Sequence, residues 1–264
     1  MSHWQNFKRA LNISALFVCG VSFGGMELVW ASECHTQDYD TAGWVSKVHD
    51  GDTIRLRDGR VVRIIGLNTP ELSRDRQPAQ PLSNDARQAL KALLGVQRRV
   101  FLKYGQQRRD RHKRILAHVF SVDGENIAAT LLGQGYGFAV TVAPNVWGQN
   151  CYFAKEKQAA QQGLGVWRHQ YYVSKASKTL TRADTGFQRI YGRVTNVSHS
   201  KKAIWVDMGS QLVLRIQRNN LQYFHATPID KWVGQRIQVR GWLSTYKKKL
   251  KMSLSHPAMV RILD

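Results

Sequence analysis

The stretch DGDTIRLRDGRVVRIIGLNTPE, residues 50–71, contains two short strand patterns joined by one tight turn. Apolar residues alternate with arginines over 54–57, and the dipeptide Asp58-Gly59 is a strong two-residue hairpin signal. The chain returns as a mostly apolar run over 61–67, which Thr69-Pro70 ends because proline cannot continue a central β-ladder. The stretch therefore predicts a β-hairpin with polar groups gathered at its ends.

The sequence around this hairpin adds helices and further strands. Alanines and leucines at helical spacing predict a helix that stops near Gly95, and two more helices are predicted around 127–132 and 153–162. Residues 168–186 have little apolar periodicity, which predicts a linker. Short strand patterns resume at Phe187 and continue to the end of the chain, which favours a second, small β-barrel.

The composition is strongly basic. The chain of 264 residues has 39 Lys and Arg against 18 Asp and Glu, a formal net charge of +21, and 43% hydrophobic residues. That hydrophobic content allows a packed core and excludes global disorder. A positive field of this size attracts polyanions and speeds encounter with them. A membrane surface is also anionic, so charge alone does not choose nucleic acid.

The first 31 residues have the pattern of an export signal. Lys8 and Arg9 precede a mostly apolar segment, and small residues at the end predict cleavage after Ala31. A retained membrane anchor is the alternative, which Glu27 and several glycines weaken. We therefore expect a periplasmic or extracellular protein without stable membrane association after cleavage. Cys34 and Cys151 would remain, either as a disulfide or as two free thiols.

Four charged residues on separate segments suit hydrolysis of a phosphodiester. Such a reaction needs a proton acceptor for water and positive charge to balance the transition state. Asp52 and Glu71 supply carboxylates at the ends of the predicted hairpin, and Arg63 lies in an apolar strand where it needs an anionic partner. Arg114 follows a loop dense in charge, and an arginine can bond two phosphate oxygens at once.

Taken together, these motifs resemble the thermonuclease, or staphylococcal-nuclease-like, family over roughly residues 43–168. The matching segments are Asp50-Gly51-Asp52-Thr53, Arg63, Thr69-Pro70-Glu71, Asp110, Arg114, Leu116-Ala117, Pro144-Asn145 and Gly165-Val166-Trp167. The resemblance implies a mainly β fold with helices (α+β), in which helices pack beside a five-stranded OB-type barrel. It also implies calcium-dependent endonuclease cleavage of DNA and RNA that leaves 3′-phosphates.

The resemblance also implies roles for individual residues. Asp52 and the backbone carbonyl of Thr69 would bind Ca²⁺, Glu71 would orient or deprotonate the attacking water, and Arg63 and Arg114 would bind the scissile phosphate. Asn68 stands where the family pattern has a calcium-binding aspartate. Its amide oxygen still suits a hard cation but brings no negative charge, which predicts weaker calcium binding or a site that the phosphate substrate must complete.

Residues 187–264 resemble, more loosely, an OB-fold module that binds nucleic acid. Aromatic side chains stack on bases while lysines follow phosphates. The candidate residues for this role are Trp242, Tyr246, Lys247, Lys248 and Lys249. The alternative is that the tryptophans are core residues and the lysines form a solvated turn. For Trp205 we expect a core position, because residues 203–208 have the pattern of an internal strand.

The sequence thus predicts a signal peptide (1–31), an N-terminal arm (32–42), a staphylococcal-nuclease-like domain (43–168), a linker (169–186) and an OB-like nucleic-acid-binding domain (187–264). The predicted protein is an exported, monomeric endonuclease with Ca²⁺ as cofactor and DNA and RNA as substrates. The alternative is a catalytically silent nucleic-acid-binding protein with a nuclease-like fold, which Asn68 favours. The combination of Asp52, Arg63, Glu71 and Arg114 argues against that alternative, since binding alone does not require it.

Overall fold

A computed structural model describes residues 34–73, 77–226, 228–247 and 249–263. The predicted signal peptide and the first two residues of the predicted arm therefore lie outside the described residues. The rest of that arm is joined to the first domain, because Cys34 is buried and the first strand already begins at Thr41. In the part of the chain that is described, no helix is long and apolar enough to span a bilayer.

Five strands of the first domain form a closed barrel in the order β1-β2-β3-β6-β5. They are β1 (Thr41–Val48), β2 (Thr53–Leu56), β3 (Val61–Ile64), β5 (Arg99–Arg109) and β6 (Ile115–Phe120), and a short pair, β4 (Leu67–Asn68) with β7 (Phe138–Ala139), lies beside them. The predicted hairpin is β2-β3, and β3 runs parallel to β6. This arrangement confirms the predicted five-stranded, mainly β fold with helices.

Three helices cover the barrel and complete its core. They are α1 (Ser83–Leu94), α2 (Ile127–Gly133) and α3 (Gln149–Gln161). Apolar residues of α1 and α2, among them Leu90 and Leu131, are fully buried against the inward side chains of the barrel strands. Cys34 forms a disulfide with Cys151 in the first turn of α3, which ties the start of the described chain to this helix.

The second domain is an eight-stranded sheet with the main order β10-β11-β12-β14-β13-β9-β8, and β15 pairs with β13. The strands are β8 (Lys175–Ala176), β9 (Gly186–Arg193), β10 (Asn196–His199), β11 (Ala203–Met208), β12 (Leu212–Gln217), β13 (Arg236–Tyr246), β14 (Lys249–Leu254) and β15 (Val260–Leu263). Only Val194 and Thr195 separate β9 from β10, and they bond to Gln235 and Asp207 respectively. The sheet therefore curls back on itself.

The two domains share one strand order. In each, three successive antiparallel strands end in one that runs parallel to a later strand, as β3 does with β6 and β12 with β14. The second domain has its own core, in which Ile190, Val206 and Trp232 are among the buried residues. The same strand order thus occurs twice, each copy with its own core, and Val140 of the first domain also packs into the second core.

The predicted linker, 169–186, is packed against both domains and does not act as a free tether. The hydroxyl of Tyr172 donates to the carbonyl of Pro81 at 2.5 Å, Leu180 is buried in the second core, and β8 within this segment pairs with β9. Sequence periodicity missed this packing because the contacts come from short 3₁₀ turns and single anchor side chains.

A buried ion pair joins the two domains directly. Arg240 Nη1 of β13 lies 2.6 Å from Glu156 Oε2 of α3, and both side chains are largely shielded from solvent. The backbone N–H of Ala139 also donates to Glu156. Phe138 stacks on Phe187 across the same junction, with ring centroids 5.5 Å apart. The second sheet is consequently fixed beside the end of the first barrel where β4 and β7 pair.

Candidate functional site

Asp52 is the buried centre of the site. It follows Gly51, where a Cβ would lie 2.8 Å from the side chains of Thr69 and Ala86, so the turn requires a residue without a side chain. The Asp52 carboxylate is 3% exposed. Its Oδ2 accepts hydrogen bonds from the backbone N–H and the hydroxyl of Thr69, at 2.9 and 3.1 Å. These bonds join the β1–β2 turn to the end of β4.

Arg63 reaches the same carboxylate from the neighbouring strand. It lies opposite Thr53 in the β2-β3 register, and its Nη1 is 2.6 Å from Asp52 Oδ1. Its Nη2 donates to the amide oxygen of Asn68 at 3.1 Å. The buried strand arginine therefore has an internal carboxylate as its partner. Its side chain also lines an open cleft, so the same guanidinium borders the space where a substrate phosphate could bind.

Asp50 places a second carboxylate beside Asp52. Its Oδ1 accepts a hydrogen bond from the Asp52 backbone N–H at 3.0 Å. Burial, followed by the negative charge of Asp52, raises the pKa of Asp50 to about 7. The two carboxylates thus create more negative charge than Arg63 alone neutralises, and a bound cation would relieve that repulsion.

Arg114 is oriented by Asp110 at the start of β6. Its Nε donates to Asp110 Oδ2 at 2.7 Å, and its backbone N–H donates to Oδ1 at 3.0 Å. Burial alone would raise the pKa of Asp110, but hydrogen bonds from Arg114 outweigh it and the net pKa is lowered. Asp110 therefore remains ionised and directs the guanidinium, which is partly exposed.

Glu71 lies at the exposed end of the segment that follows β4. Its backbone N–H donates to Oε1 of Gln80 at 3.0 Å, and its carbonyl accepts from the Gln80 N–H at 2.9 Å. These two bonds fix the backbone while the side chain remains at the surface. The carboxylate is thus carried on a fixed backbone beside the cleft.

The cleft between these groups has a volume of about 410 Å³. Among the predicted site residues, Arg63, Asn68, Glu71 and Arg114 line it, while Asp52 and Thr69 lie next to it through the bonds described above. Apolar side chains, Leu116, Val140 and Val142 among them, complete its lining. Asn145, which is buried, bonds the backbone N–H and carbonyl of Gln107 at 2.8 and 3.0 Å and holds that end of β5 against the cleft.

The residues beside Asp52 suit a hard divalent cation. The Asp52 carboxylate, the Asn68 amide and the Thr69 carbonyl are oxygen donors of the kind that Ca²⁺ prefers. A bound cation would favour the ionised form of Asp50, whose pKa burial and Asp52 raise. Within the described residues no group of three His, Cys, Asp or Glu is arranged to hold a metal, so protein carboxylates alone do not form a complete cage. Water and a substrate phosphate would supply further oxygens.

The predicted nucleic-acid-binding residues of the second domain occupy three different environments. Tyr246 and the exposed Lys247 lie at the tip of the β13-β14 hairpin. Lys249 is paired with Asp207 at 2.8 Å, and Lys248 lies outside the described residues. Trp242 is 41% exposed and lines the cleft beside Arg63 and Arg114 instead of the hairpin surface.

Trp205 was predicted to be a core residue, and the structure places it half-buried on the outer face of the second sheet. Its ring stacks on Tyr246, with centroids 5.5 Å apart and planes at 21°. Ile204 and Val206, on either side of it in β11, point into the core. The two-residue alternation of β11 therefore contained the signal, since Trp205 shares its face with Asp207.

Sequence reasoning assigned Trp242 to the second module and missed that it lines the cleft, and it missed that Asp110 orients Arg114. Trp242 reaches the cleft because Arg240, two residues before it, docks on Glu156, and no local pattern contains that information. Asp110 could have been recognised as the partner of Arg114, because a carboxylate four residues earlier in the same loop can reach its guanidinium.

Comparison with known proteins agrees with this geometry. The family model for the staphylococcal nuclease homologue matches residues 61–169. A thermonuclease of Staphylococcus hyicus is 31% identical over 162 residues, which cover 59% of this chain and 92% of that protein. A thermonuclease of Staphylococcus intermedius is 34% identical over 126 residues, 47% of this chain and 74% of that protein.

A further relative is the endonuclease YncB of Bacillus subtilis (strain 168), which is 32% identical over 130 residues. The match covers 47% of this chain and 61% of that protein. The family match ends at residue 169, before β8, and therefore does not extend over the second sheet.

Proposed function

This chain belongs to the staphylococcal nuclease family, and from that premise we propose that it is a calcium-dependent endonuclease which cleaves DNA and RNA with little sequence specificity. Membership of the family supports the nuclease activity itself. The choice of metal, the two substrate polymers and the 3′-phosphate products are the further content of the proposal. Phosphate contacts carry little sequence information, which agrees with a nonspecific enzyme.

One observation carries the proposal. Arg63, Glu71 and Arg114, which come from three separate segments, line a single cleft, and Asp52 lies directly behind Arg63. A protein that only binds nucleic acid needs surface cations. It does not need a buried carboxylate pair, two oriented guanidiniums and a carboxylate at the rim of the same cleft.

The chain's own groups account for each requirement of hydrolysis. Glu71 accepts the proton of an attacking water, or orients that water. The new oxygen–phosphorus bond forms as the bond from phosphorus to the 5′-oxygen breaks, which leaves a 3′-phosphate and a 5′-hydroxyl. Arg63 and Arg114 stabilise the charge that develops on the phosphate oxygens, and Asp110 keeps Arg114 oriented.

Arg63 has two anionic partners in this scheme. Without substrate it neutralises Asp52, at 2.6 Å. A bound phosphate competes with Asp52 for the Arg63 guanidinium. When Arg63 turns to the phosphate, Ca²⁺ held by Asp52, Asn68 and Thr69 would neutralise Asp52 in its place. Calcium bound there supplies additional positive charge to the phosphate.

The proposal also includes the setting in which the enzyme works. We expect export by the predicted N-terminal signal to the periplasm or outside the cell, with no stable membrane association after cleavage. We also expect a monomer, since one chain supplies every group of the cleft. The exposed cations of the second sheet, Lys247 among them, are expected to bind nucleic acid.

The test is digestion by purified mature protein of single-stranded DNA, duplex DNA and RNA, with Ca²⁺, with Mg²⁺ and with a chelator. The proposal predicts cleavage with Ca²⁺ that the chelator abolishes, and 3′-phosphate ends in the products. Glu71→Gln should lose most of this activity, whereas Glu125→Gln, at an exposed glutamate of the β6–α2 turn, should retain it. Binding without cleavage under every condition would instead favour the catalytically silent alternative.

A further inference from the structure

We propose that a single-stranded polynucleotide follows one continuous track across both domains, from the catalytic cleft past Trp242 to an aromatic-basic patch on the second sheet. The patch consists of Trp205, Tyr246, Arg215, Lys251 and Lys202, which line one hollow of about 500 Å³. This inference rests on the proposed nuclease function, because it defines where the substrate lies outside the cleft. It adds a second binding site that acts at a distance from the scissile phosphate.

Trp242 forms the start of the track at the wall of the cleft. Its indole is 41% exposed and is held from the side by Phe187, with ring centroids 5.3 Å apart at 71°. Because Arg240 anchors this strand on Glu156, the exposed face of the ring is fixed relative to Arg114 and Arg63. A rigid aromatic face beside the phosphate-binding groups suits stacking of an unpaired base.

The middle of the track is a hollow of about 870 Å³ at the junction of the domains. It shares Gln107, Arg111, Val142 and Trp242 with the cleft, so the two spaces are continuous. Its floor and walls carry uncharged polar side chains, including Asn219, Asn220, Gln222 and Ser253. Such groups offer donors and acceptors to bases and sugars without repelling phosphates.

Lys251 connects this hollow to the patch, since it lines both. Its Nζ lies 5.1 Å from the ring centroid of Tyr246, and the Arg215 guanidinium lies 5.8 Å from that of Trp205. The stacked pair of rings is thus flanked by cations on neighbouring strands. This combination places aromatic faces for bases directly beside cations for phosphates.

Charge along the path favours a polyanion. Among the described residues, neither the junction hollow nor the patch has an Asp or Glu in its lining, and Arg111, Lys251, Arg215 and two adjacent lysines supply positive charge. Acidic side chains line only the cleft, where the chemistry requires them. The aromatic faces select a single strand, because the bases of a duplex are already stacked and paired.

The decisive measurement is the affinity of the full chain for oligothymidylates of about 4 and about 20 nucleotides, a span suggested by the site size of OB folds. Fluorescence anisotropy in the presence of a chelator prevents cleavage during the titration. We expect the longer strand to bind at least tenfold more tightly, roughly the contribution of one or two stacked bases. The readout is the ratio of the two dissociation constants.

The variant Trp205→Ala/Tyr246→Ala should reduce that ratio about tenfold or more, because the longer strand should then bind about as weakly as the short one. Trp44→Ala is the matched control, because Trp44 is also exposed and also lies under an arginine, Arg99, but is on the first barrel and lines neither hollow. It should preserve the wild-type ratio. A ratio that is unchanged in the double variant, or a duplex of the same length that binds as tightly as the single strand, would overturn the proposal.

A charge variant tests the track without removing an aromatic ring. The measured quantity is the slope of log K for the longer strand against the logarithm of the salt concentration. Arg215→Gln/Lys251→Gln should make this slope shallower by about 1.4, the value for two phosphate contacts. An unchanged slope would contradict the proposal. Cleavage of the short strand with Ca²⁺ is measured on the same preparations, so a missing nuclease activity is distinguished from a missing track.

Discussion

The cleft and the patch are built on the same strand order but use charge in opposite ways. In the first barrel, Asp52 is 3% exposed and has its hydrogen-bond partners at fixed positions at strand ends. In the second sheet, Arg215 and Lys251 lie in mid-strand on an open face. Stabilising a transition state requires charges that are oriented beforehand, whereas following a flexible polymer requires only charges within reach. The comparison therefore separates a reacting site from a guiding surface.

The largest expected effect concerns Arg114. Arg114→Ala should lower kcat/KM for DNA by about 10³-fold, because it removes an oriented donor to the transition state. The charge-matched control is Arg57→Ala at the exposed hairpin tip, for which we expect little change. Steady-state assays with Ca²⁺ give both values. If the two variants lose activity equally, an oriented arginine contributes no more to catalysis than an arginine that is merely nearby.

The second prediction concerns the connection between the two regions. Arg240→Ala leaves Glu156 buried without its partner and should lower the free energy of unfolding by about 3–5 kcal/mol. The exposed pair Arg60–Asp58 provides the control, and Arg60→Ala should cost less than about 1 kcal/mol. Urea unfolding measures both. Similar losses in the two variants would mean that the domains are not fixed to each other through this pair.

The third prediction uses a histidine of the first core. Burial, with a smaller contribution from Lys103, lowers the pKa of His118 from 6.5 to about 3, and Tyr152 bonds its Nδ1 at 2.7 Å. Between these pH values the unfolded chain binds the proton and the folded chain does not, so stability is lost as the pH falls. The loss from pH 7 to pH 5 should be about 2 kcal/mol.

Urea titrations at several pH values test whether His118 causes this loss of stability. His118→Gln can still bond Tyr152 and should show a shallower loss of stability below pH 6.5. His225→Gln, at an exposed histidine of the second domain, should retain the slope of the wild-type protein. A wild-type slope in the His118 variant would assign the acid sensitivity to other groups.

The smallest expected effect concerns the metal. Asn68→Asp adds a negative charge beside Asp52 and should tighten Ca²⁺ binding by roughly tenfold, about 1.4 kcal/mol. Calorimetric titration measures the change, and Asn84→Asp on the exposed side of α1 controls for net charge. Equal effects of both substitutions would show that Asn68 does not bind the ion.

The hairpin of residues 50–71 was predictable because alternation, turn residues and a proline stop act locally, whereas the five-stranded barrel around it followed from the family resemblance. The grouping of Arg63, Glu71 and Arg114 around one cleft followed from the family resemblance, and the roles assigned to them stay predictions. Trp242 was assigned to a separate surface, because its position depends on a docking contact, Arg240 to Glu156, that connects distant segments.

Two further features show where sequence reasoning stops. The pairing of Cys34 with Cys151 was left open, since spacing does not show that two cysteines come within reach, and in the structure their Cα atoms are 5.6 Å apart. The core position predicted for Trp205 was wrong because the strand was taken to be buried on both faces. In β11 only one face is fully apolar, and the other carries Asp207.

The disulfide also determines how the molecule carries mechanical load. A pulling force applied at Cys34 passes through the sulfur atoms straight into α3 at Cys151, and from α3 to β13 through Glu156 and Arg240. The barrel strands between those two cysteines lie inside a covalent loop and bear none of that tension while the bond is intact. A chain pulled from both ends would therefore open first in the second sheet, and the cleft would lose its Trp242 wall while the first barrel is still held by the covalent loop.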